Sequence, residues 1–471
     1  MPTPANATSG VHFPPSMTGS ALFREALATA CVAFPDALDG VAVPTDNQAF
    51  KSKLSETVVR FEARRADSAR RTDIARNLVD TLDTHTRFGE AGQPLSASLQ
   101  PGTAHCHEVT GHGPVGWTPE ITYRDQHYRG AAIAELADRM REDYQLTDEA
   151  AAALRWVAKE LLHEPVNLSG QTFALLGAGA ELAPTPYLLQ AGARVVWVDT
   201  KPATELAERP DTFAGTLVQY VGASDLLSSP CAIYQALGNE ADNAPLHLGL
   251  YAYAPGRGRE LRLTAAMNGI TSKLPDDALR SVAMLISPTT PGATSPTCLA
   301  DSAARLEAAP RWQHMLSRAR LLSTDSHHRA GQTEISRSIV PLQGPTYLAA
   351  QYLAKMMVAE VWAADRPGVR ISANVAGITH TQSLSHPLFL AGFAGAPVFG
   401  IEVYTPPQTR VLMALLMLHD ALRPDDVVVP PATRAIHGGV RTAPFRFWDI
   451  IQVAAVVGVG KKPSVLLAGR R

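Results

Sequence analysis

Residues 173–202 read FALLGAGAELAPTPYLLQAGARVVWVDTKP. An apolar run ends in two closely spaced glycines, Gly177 and Gly179; a helical stretch follows, and a second apolar run ends at Asp199. Glycine permits a tight turn and lets a phosphate come close to the backbone, because no side chain stands in the way. The helix behind such a turn aims its N–H groups and positive dipole end at an anion. Asp199 follows Gly177 by 22 residues, where a carboxylate accepts hydrogen bonds from a ribose hydroxyl. The order strand, turn, helix, strand, acid predicts a dinucleotide-binding βαβ unit. The bland alternative is a βα turn that needs glycine for its geometry alone.

Two departures from the usual pattern stand out. Where a third glycine is customary the chain has Glu181, Leu182 and Ala183, and Pro184 and Pro186 follow at once. Glu181 repels a pyrophosphate unless it points away. On the choice of nucleotide, Asp199 repels a ribose 2′-phosphate and favours NAD, whereas Lys201, just past Thr200, is placed to pair with that phosphate and favours NADP.

Working outward, strand-like runs (246–256, 281–290, 368–379) alternate with helical patterns at 184–191, 205–222, 261–274 and 345–363. Such alternation predicts an α/β fold, a Rossmann-type doubly wound parallel sheet covered on both faces. N-terminal to it, residues 1–50 are rich in Pro, Ala and Thr and read as an irregular arm. Residues 51–165 read as an α-helical N-terminal domain. Within it, 130–144 is amphipathic and 146–162 starts on a Thr147 N-cap, with Asp148 and Glu149 in the first turn. The sheet domain spans 166–471, with a polar insertion at 292–340 and a C-terminal, substrate-binding segment at 380–471.

The chain has 471 residues, 46% of them hydrophobic, with a formal net charge of −2. That suits a globular protein and argues against nucleic acid as a partner; the basic cluster RFEARRADSARR (60–71) is interleaved with acids, as on a solvated helix face. Cys31, Cys106, Cys231 and Cys298 are dispersed and form no CxxC pair, as expected in a reducing compartment. The N-terminus lacks a signal-peptide pattern, and no apolar run approaches the ~20 residues of a membrane helix. A soluble cytoplasmic protein, not bound to membrane, is expected.

The stretch PTYLAAQYLAKMMVAEVWAADRPGVRISANVAGIT (345–379) resembles the short-chain dehydrogenase/reductase family, in which a helix opening on Tyr-x-x-x-Lys leads into a strand similar to GVRISANVAGIT. The likeness covers roughly 170–400 and is one of layout. It implies a nicotinamide cofactor, NAD or NADP, and places the catalytic tyrosine at Tyr347. It places the carbonyl-polarising serine at Ser287, and cofactor contacts at Gly177, Gly179, Glu181, Leu182, Asp199, Thr200, Lys201, Ala254 and Gly377. It puts a structural asparagine at Asn268 and, by analogy of fold, implies a homo-oligomer. The position of the family lysine holds Gln351; Lys355, further along the helix, is the other candidate for assisting Tyr347, and Tyr352 lies three residues before it. Ala376 replaces the proline before Gly377.

His105, Cys106, His107 and His112 raise the question of zinc, but no second ligand cluster accompanies them, and no metal is expected. His327, His328 and Arg329 read as a polar loop. Residues 379–422 are rich in Leu, Phe, Ala and Met, as in a pocket for an apolar or acyl group; 409–422 reads equally as a packed helix. Arg441 and Arg446 are placed either to meet an anionic group or to lie at the surface. The expected function is an NAD(P)-dependent oxidoreductase acting on a carbonyl, alcohol or enoyl group of an apolar small molecule. The rival is a nucleotide-binding sensor or scaffold without redox chemistry.

Overall fold

The computed structural model describes residues 10–461, apart from 257, 385 and 426–428. The fold is mixed α/β, built on a seven-stranded, mostly parallel sheet. Its strands are β1 (Cys106–Thr110), β2 (Thr172–Leu176), β3 (Arg194–Val198), β4 (Thr216–Tyr220), β5 (Leu246–Leu250), β6 (Leu279–Ile286) and β7 (Arg370–Val375). Across the sheet they lie in the order β7-β6-β5-β2-β3-β4-β1. Only β1 runs antiparallel, on the edge beside β4.

From β2 the chain winds outward through β3 to β4, then returns to β5 on the other side of β2 and winds through β6 to β7. Leu176 at the end of β2 therefore pairs with Val198 on one side and Leu250 on the other. The connections leave these two central strands in opposite directions, which opens a crevice at their carboxyl ends.

Both faces of the sheet are buried, and the two-residue period of a strand assigns its side chains. Ala174 and Leu176 face one core, where Phe23, Phe61, Leu78 and Leu353 pack. Phe173 and Leu175 face the other, shared with Leu154, Val157, Leu415 and Leu418. The first layer contains helices α1 (Gly19–Ala33), α2 (Leu54–Asp67), α3 (Arg71–His85), α5 (Arg259–Lys273) and α6 (Pro345–Met356); the second contains α4 (Asp148–Leu161) and α8 (Pro406–Leu422). Between α6 and α8 lies α7 (Pro387–Gly395), which packs on α9 (Phe447–Lys461).

Several segments differ from the sequence expectation. Residues 205–222, read as helix, hold one helical turn (Thr204–Ala207), a 3-10 turn at Pro210–Thr212 and then β4. Pro210 cannot continue a helix, and Gly215 brings the chain against β3: a Cβ there would lie 2.0 Å from the Ala193 carbonyl oxygen. Within the expected arm, Gly19–Ala33 forms a helix capped by the Thr18 side chain, with Leu22 and Phe23 fully buried. The strand Cys106–Thr110 lies within the domain expected to be α-helical and joins the main sheet at its edge. Thr147 does cap its helix, accepting from the Ala150 N–H at 3.3 Å. Residues 296–336 stand off the sheet as two helices and a small hairpin. The parts of the expected arm and C-terminal segment at 1–9 and 462–471 lie outside the described residues. Among the described residues no helix is long and apolar enough to cross a membrane.

Candidate functional site

A cavity of about 800 Å³ occupies the crevice at the carboxyl ends of the parallel strands. Gly177, Gly179, Glu181, Leu182, Asp199 and Thr200 line one end of the set of walls, Ser287, Tyr347 and Gln351 another, and Ala254 and Gly377 also face it. The residues singled out in the glycine turn and in the tyrosine helix therefore meet in one space.

Gly177 has φ +91°, a left-handed conformation that favours glycine, and a Cβ there would come within 2.4 Å of the Ala252 nitrogen. The fold itself requires this glycine, whatever the cavity holds. Gly179 is bound to Asp199: its N–H donates to Asp199 Oδ2 at 2.9 Å, and the Lys201 N–H donates to Oδ1 at 2.8 Å. These bonds aim the carboxylate and leave each oxygen a further lone pair. The Lys201 side chain is not among the lining groups, unlike Asp199 and Thr200. Glu181 turns across the mouth, where its Oε2 accepts from the Gln382 N–H at 3.1 Å and its backbone carbonyl accepts from Arg410. The carboxylate thereby ties the glycine turn to the segment after β7. Gly377 packs beneath Tyr404, whose ring a Cβ would approach to 2.4 Å.

At the end of β6 the Ser287 N–H donates to Gln351 Oε1 at 2.8 Å. Ser287 Oγ and Thr289 Oγ1 are 2.8 Å apart, and Thr289 Oγ1 donates to Gln343 Oε1 at 2.9 Å. The Tyr347 hydroxyl joins this set, facing Ser287, Gln343 and Thr289. Burial pushes the phenol pKa up, hydrogen bonds from these neighbours oppose the shift, and the Glu260 carboxylate adds to it. Tyr253 packs edge-on against the Tyr347 ring, 6.0 Å between centroids. Gln343, Thr289 and Tyr253 escaped notice in the sequence. Two of them sit close to a recognised residue: Thr289 is two after Ser287, and Gln343 is four before Tyr347, at the end of the short 3-10 turn that precedes α6.

Lys355 is set apart from this group. Its Nζ donates to Glu62 Oε1 at 2.6 Å and to the Pro291 carbonyl at 2.9 Å, in a buried cluster with Arg65 and the Tyr352 hydroxyl. Burial raises the Glu62 carboxyl pKa, but Arg65 and Lys355 outweigh that and hold it at about 2. Eight residues along a helix amount to about 80° more than two full turns, enough to swing Lys355 from the cavity toward α2. Of the two candidates for a place beside Tyr347, Lys355 is thus bonded to Glu62 instead, and Tyr352 is likewise committed to Glu62.

No protein-family model matches the chain, and no curated protein sequence matches it.

The remaining candidates lie elsewhere. Cys106 and His107 are on the edge strand, paired in register with Tyr220 and Gln219. Among the described residues no group of three or more His, Cys, Asp or Glu side chains is placed to hold a metal ion. His327 is half-buried, its Nε2 beside the Arg441 carbonyl at 3.1 Å. Asn268 donates to Asp83 at 2.8 and 2.9 Å, joining α5 to α3. Arg446 pairs with Asp325 at 3.1 Å. Phe389 and Phe393 of α7 and Phe447 and Ile451 of α9 form an apolar wall of the cavity, and the Phe389 and Phe393 rings stack with centroids 6.2 Å apart.

Proposed function

We propose that the protein is an NAD(P)-dependent oxidoreductase of short-chain-dehydrogenase-like type, acting on a carbonyl, alcohol or enoyl group of an apolar small molecule or acyl substrate. One observation carries this: Tyr347 and Ser287, from a helix and a strand end far apart in sequence, meet over the same cavity as Gly177, Gly179 and Asp199. The strand order supports it, since β4-β3-β2-β5-β6-β7 is the order 3-2-1-4-5-6 of Rossmann-type dinucleotide-binding sheets.

The residues fit a nicotinamide dinucleotide. Asp199 has spare lone pairs for the ribose hydroxyls, and Glu181 is turned toward Gln382 rather than left to oppose a pyrophosphate. The Asp199 carboxylate on the wall, with the Lys201 side chain off it, favours NAD over NADP. Such a cofactor, when bound, supplies or accepts the hydride. The chain supplies the proton. Ser287 donates a hydrogen bond to the substrate oxygen, and Tyr347 gives its phenolic proton to that oxygen as it becomes an alcohol. A phenol with a raised pKa and no neighbouring lysine keeps its proton at neutral pH, so Tyr347 is the better acid and reduction the favoured direction. The apolar wall of α7 and α9 takes the rest of the substrate.

The commitment of Lys355 to Glu62 favours a second reading, a nucleotide-binding sensor or scaffold without turnover. Calorimetric titration with NAD⁺, NADH, NADP⁺ and NADPH tests what the two readings share. Micromolar binding of one pair, weakened by Asp199→Ala, supports both, and absence of binding to all four removes both. Turnover of a carbonyl panel, lost in Tyr347→Phe with binding retained, then selects the enzyme.

A further inference from the structure

Other buried arginines in this protein bond acceptors through at least part of the guanidinium. Arg65 bonds Glu62 and Glu360, Arg366 bonds the carbonyl oxygens of Thr271, Ser272 and Leu274, and Arg434 pairs with Asp420 at 2.6 Å. Arg441 differs. It is 6% exposed, and among the described residues its guanidinium has no hydrogen-bond acceptor, no carboxylate partner and no aromatic face; its Nε is fully enclosed and unpaired. A guanidinium does not shed its proton in proteins, and a buried charge without a partner costs several kcal/mol.

Among the described residues no anion contacts Arg441: the Glu149 carboxylate acts on its charge only through space, without an ion pair. Cys298 and His437 are neighbours, with Sγ and Nε2 4.0 Å apart. His437 Nδ1 accepts from the Gly439 N–H at 3.1 Å, so Nε2 carries the ring proton and cannot take one from the thiol. Burial also pushes the Cys298 pKa up. Lys355 comes near as a second cation: its Nζ and Arg441 Nη2 lie 3.1 and 3.8 Å from where a Cβ on Gly292 would be. Glu62 answers Lys355, which leaves Arg441 without a carboxylate in contact. Two residues to either side of Gly292 in the chain, the Thr290 and Thr294 hydroxyls are both buried without partners.

We propose that Arg441 and the 290–294 loop form a binding site for a small oxyanion, with Thr290 and Thr294 as further hydroxyl donors and Gly292 letting the loop backbone come close to the guanidinium. The planar fork of arginine suits the paired oxygens of a phosphate or a carboxylate. The site is separate from the cavity, whose walls include Ser287 and Thr289 but not Arg441. Because those two residues begin the same loop, an anion at Arg441 steadies the segment that carries Ser287. This inference does not depend on the proposed oxidoreductase activity.

Thermal unfolding of the full chain tests it, with inorganic phosphate, acetate and chloride compared at equal ionic strength. Phosphate or acetate is expected to raise the Tm saturably, by about 2–4 °C at saturation, above the chloride control. Which of the two does so at lower concentration identifies the source of the oxyanion. Arg441→Met is expected to abolish the difference between salts. Should that variant not fold, the Thr290→Val/Thr294→Val double variant keeps the arginine and is expected to weaken the midpoint about tenfold. Equal Tm values in all three salts for the wild-type protein would overturn the site, as would a salt response unchanged in Arg441→Met or a midpoint unchanged in the double variant.

Discussion

The Ser287 amide donates to the side-chain oxygen of Gln351 across 2.8 Å, joining the end of β6 to α6. Gln351 lies one turn after Tyr347, so this bond sets the spacing between the serine and the tyrosine that face the cavity. It also uses the oxygen of the glutamine, and among the described residues the amide nitrogen has no protein acceptor. Gln351 thus holds the site together where the resembling family carries a cation.

Tyr347→Phe removes the proposed proton donor and leaves the ring packed against Tyr253. We expect kcat to fall at least about 100-fold with nucleotide affinity unchanged within a factor of two. Steady-state kinetics beside calorimetry measures both.

Gln351→Lys places a charge one turn from the phenol. The pKa of Tyr347 is raised by burial; reduction needs the protonated phenol and fails as pH rises through that pKa. A cation lowers the pKa, so the alkaline limb of the pH–rate profile should move down by about one unit. An unmoved limb would show that Tyr347 is not the titrating acid.

Lys355→Met leaves Glu62 buried with Arg65 and the Tyr352 hydroxyl but without its second cation. Breaking a buried pair from one side costs about 3–5 kcal/mol, measurable by urea unfolding. Adding Glu62→Gln removes the stranded charge and should recover part of that loss. A Lys355 variant of wild-type stability would contradict the structural role of the pair.

Gly177→Ala pushes a methyl into the Ala252 backbone at 2.4 Å from a residue with φ +91°, and is expected to prevent soluble folding or cost more than about 3 kcal/mol. Gly179→Ala meets the Trp197 ring at 3.0 Å and the Asp199 carboxylate at 3.2 Å. It should fold, with nucleotide affinity reduced about tenfold through the displaced Asp199. Circular dichroism and calorimetry separate the two outcomes.

His247 sits between Ser281 Oγ at 2.8 Å and Gln171 Oε1 at 3.1 Å. Burial, helped by Arg280 and Arg370, lowers its pKa to about 4 from the ordinary 6.5. The folded state therefore binds the proton less readily than the unfolded chain. Its contribution is full above pH 6.5 and is lost as pH falls toward 4, on the order of 3 kcal/mol in all. His247→Gln should flatten the fall in urea midpoint over that window.

Much of the fold was written in local sequence. Apolar runs closed by glycine or proline marked β2, β3, β5, β6 and β7, because a strand buried on both faces needs a continuous apolar stretch and a turn residue at its end. Capping at Thr147 was equally legible, being decided within four residues. Strand β4 was not, since Thr216–Tyr220 is only five residues long, directly follows a helix-like pattern, and is held as a strand by β3 and β1 on either side of it. The burial of α1 was invisible for the same reason. Its Leu22 and Phe23 become core only once the sheet offers them a face.

The sequence by itself determined the glycine turn, the acid after it and the order of the parallel strands' residues along the chain. Tertiary structure alone decided which polar groups meet: Tyr347 with Ser287 and Gln343, Lys355 with Glu62, and Arg441 with no acceptor of its own. Turn and strand preferences act over a few residues, within reach of sequence spacing. Pairing of buried charges depends on the angle at which helices distant in sequence face one another, and 80° of helix was enough to take Lys355 out of the cavity.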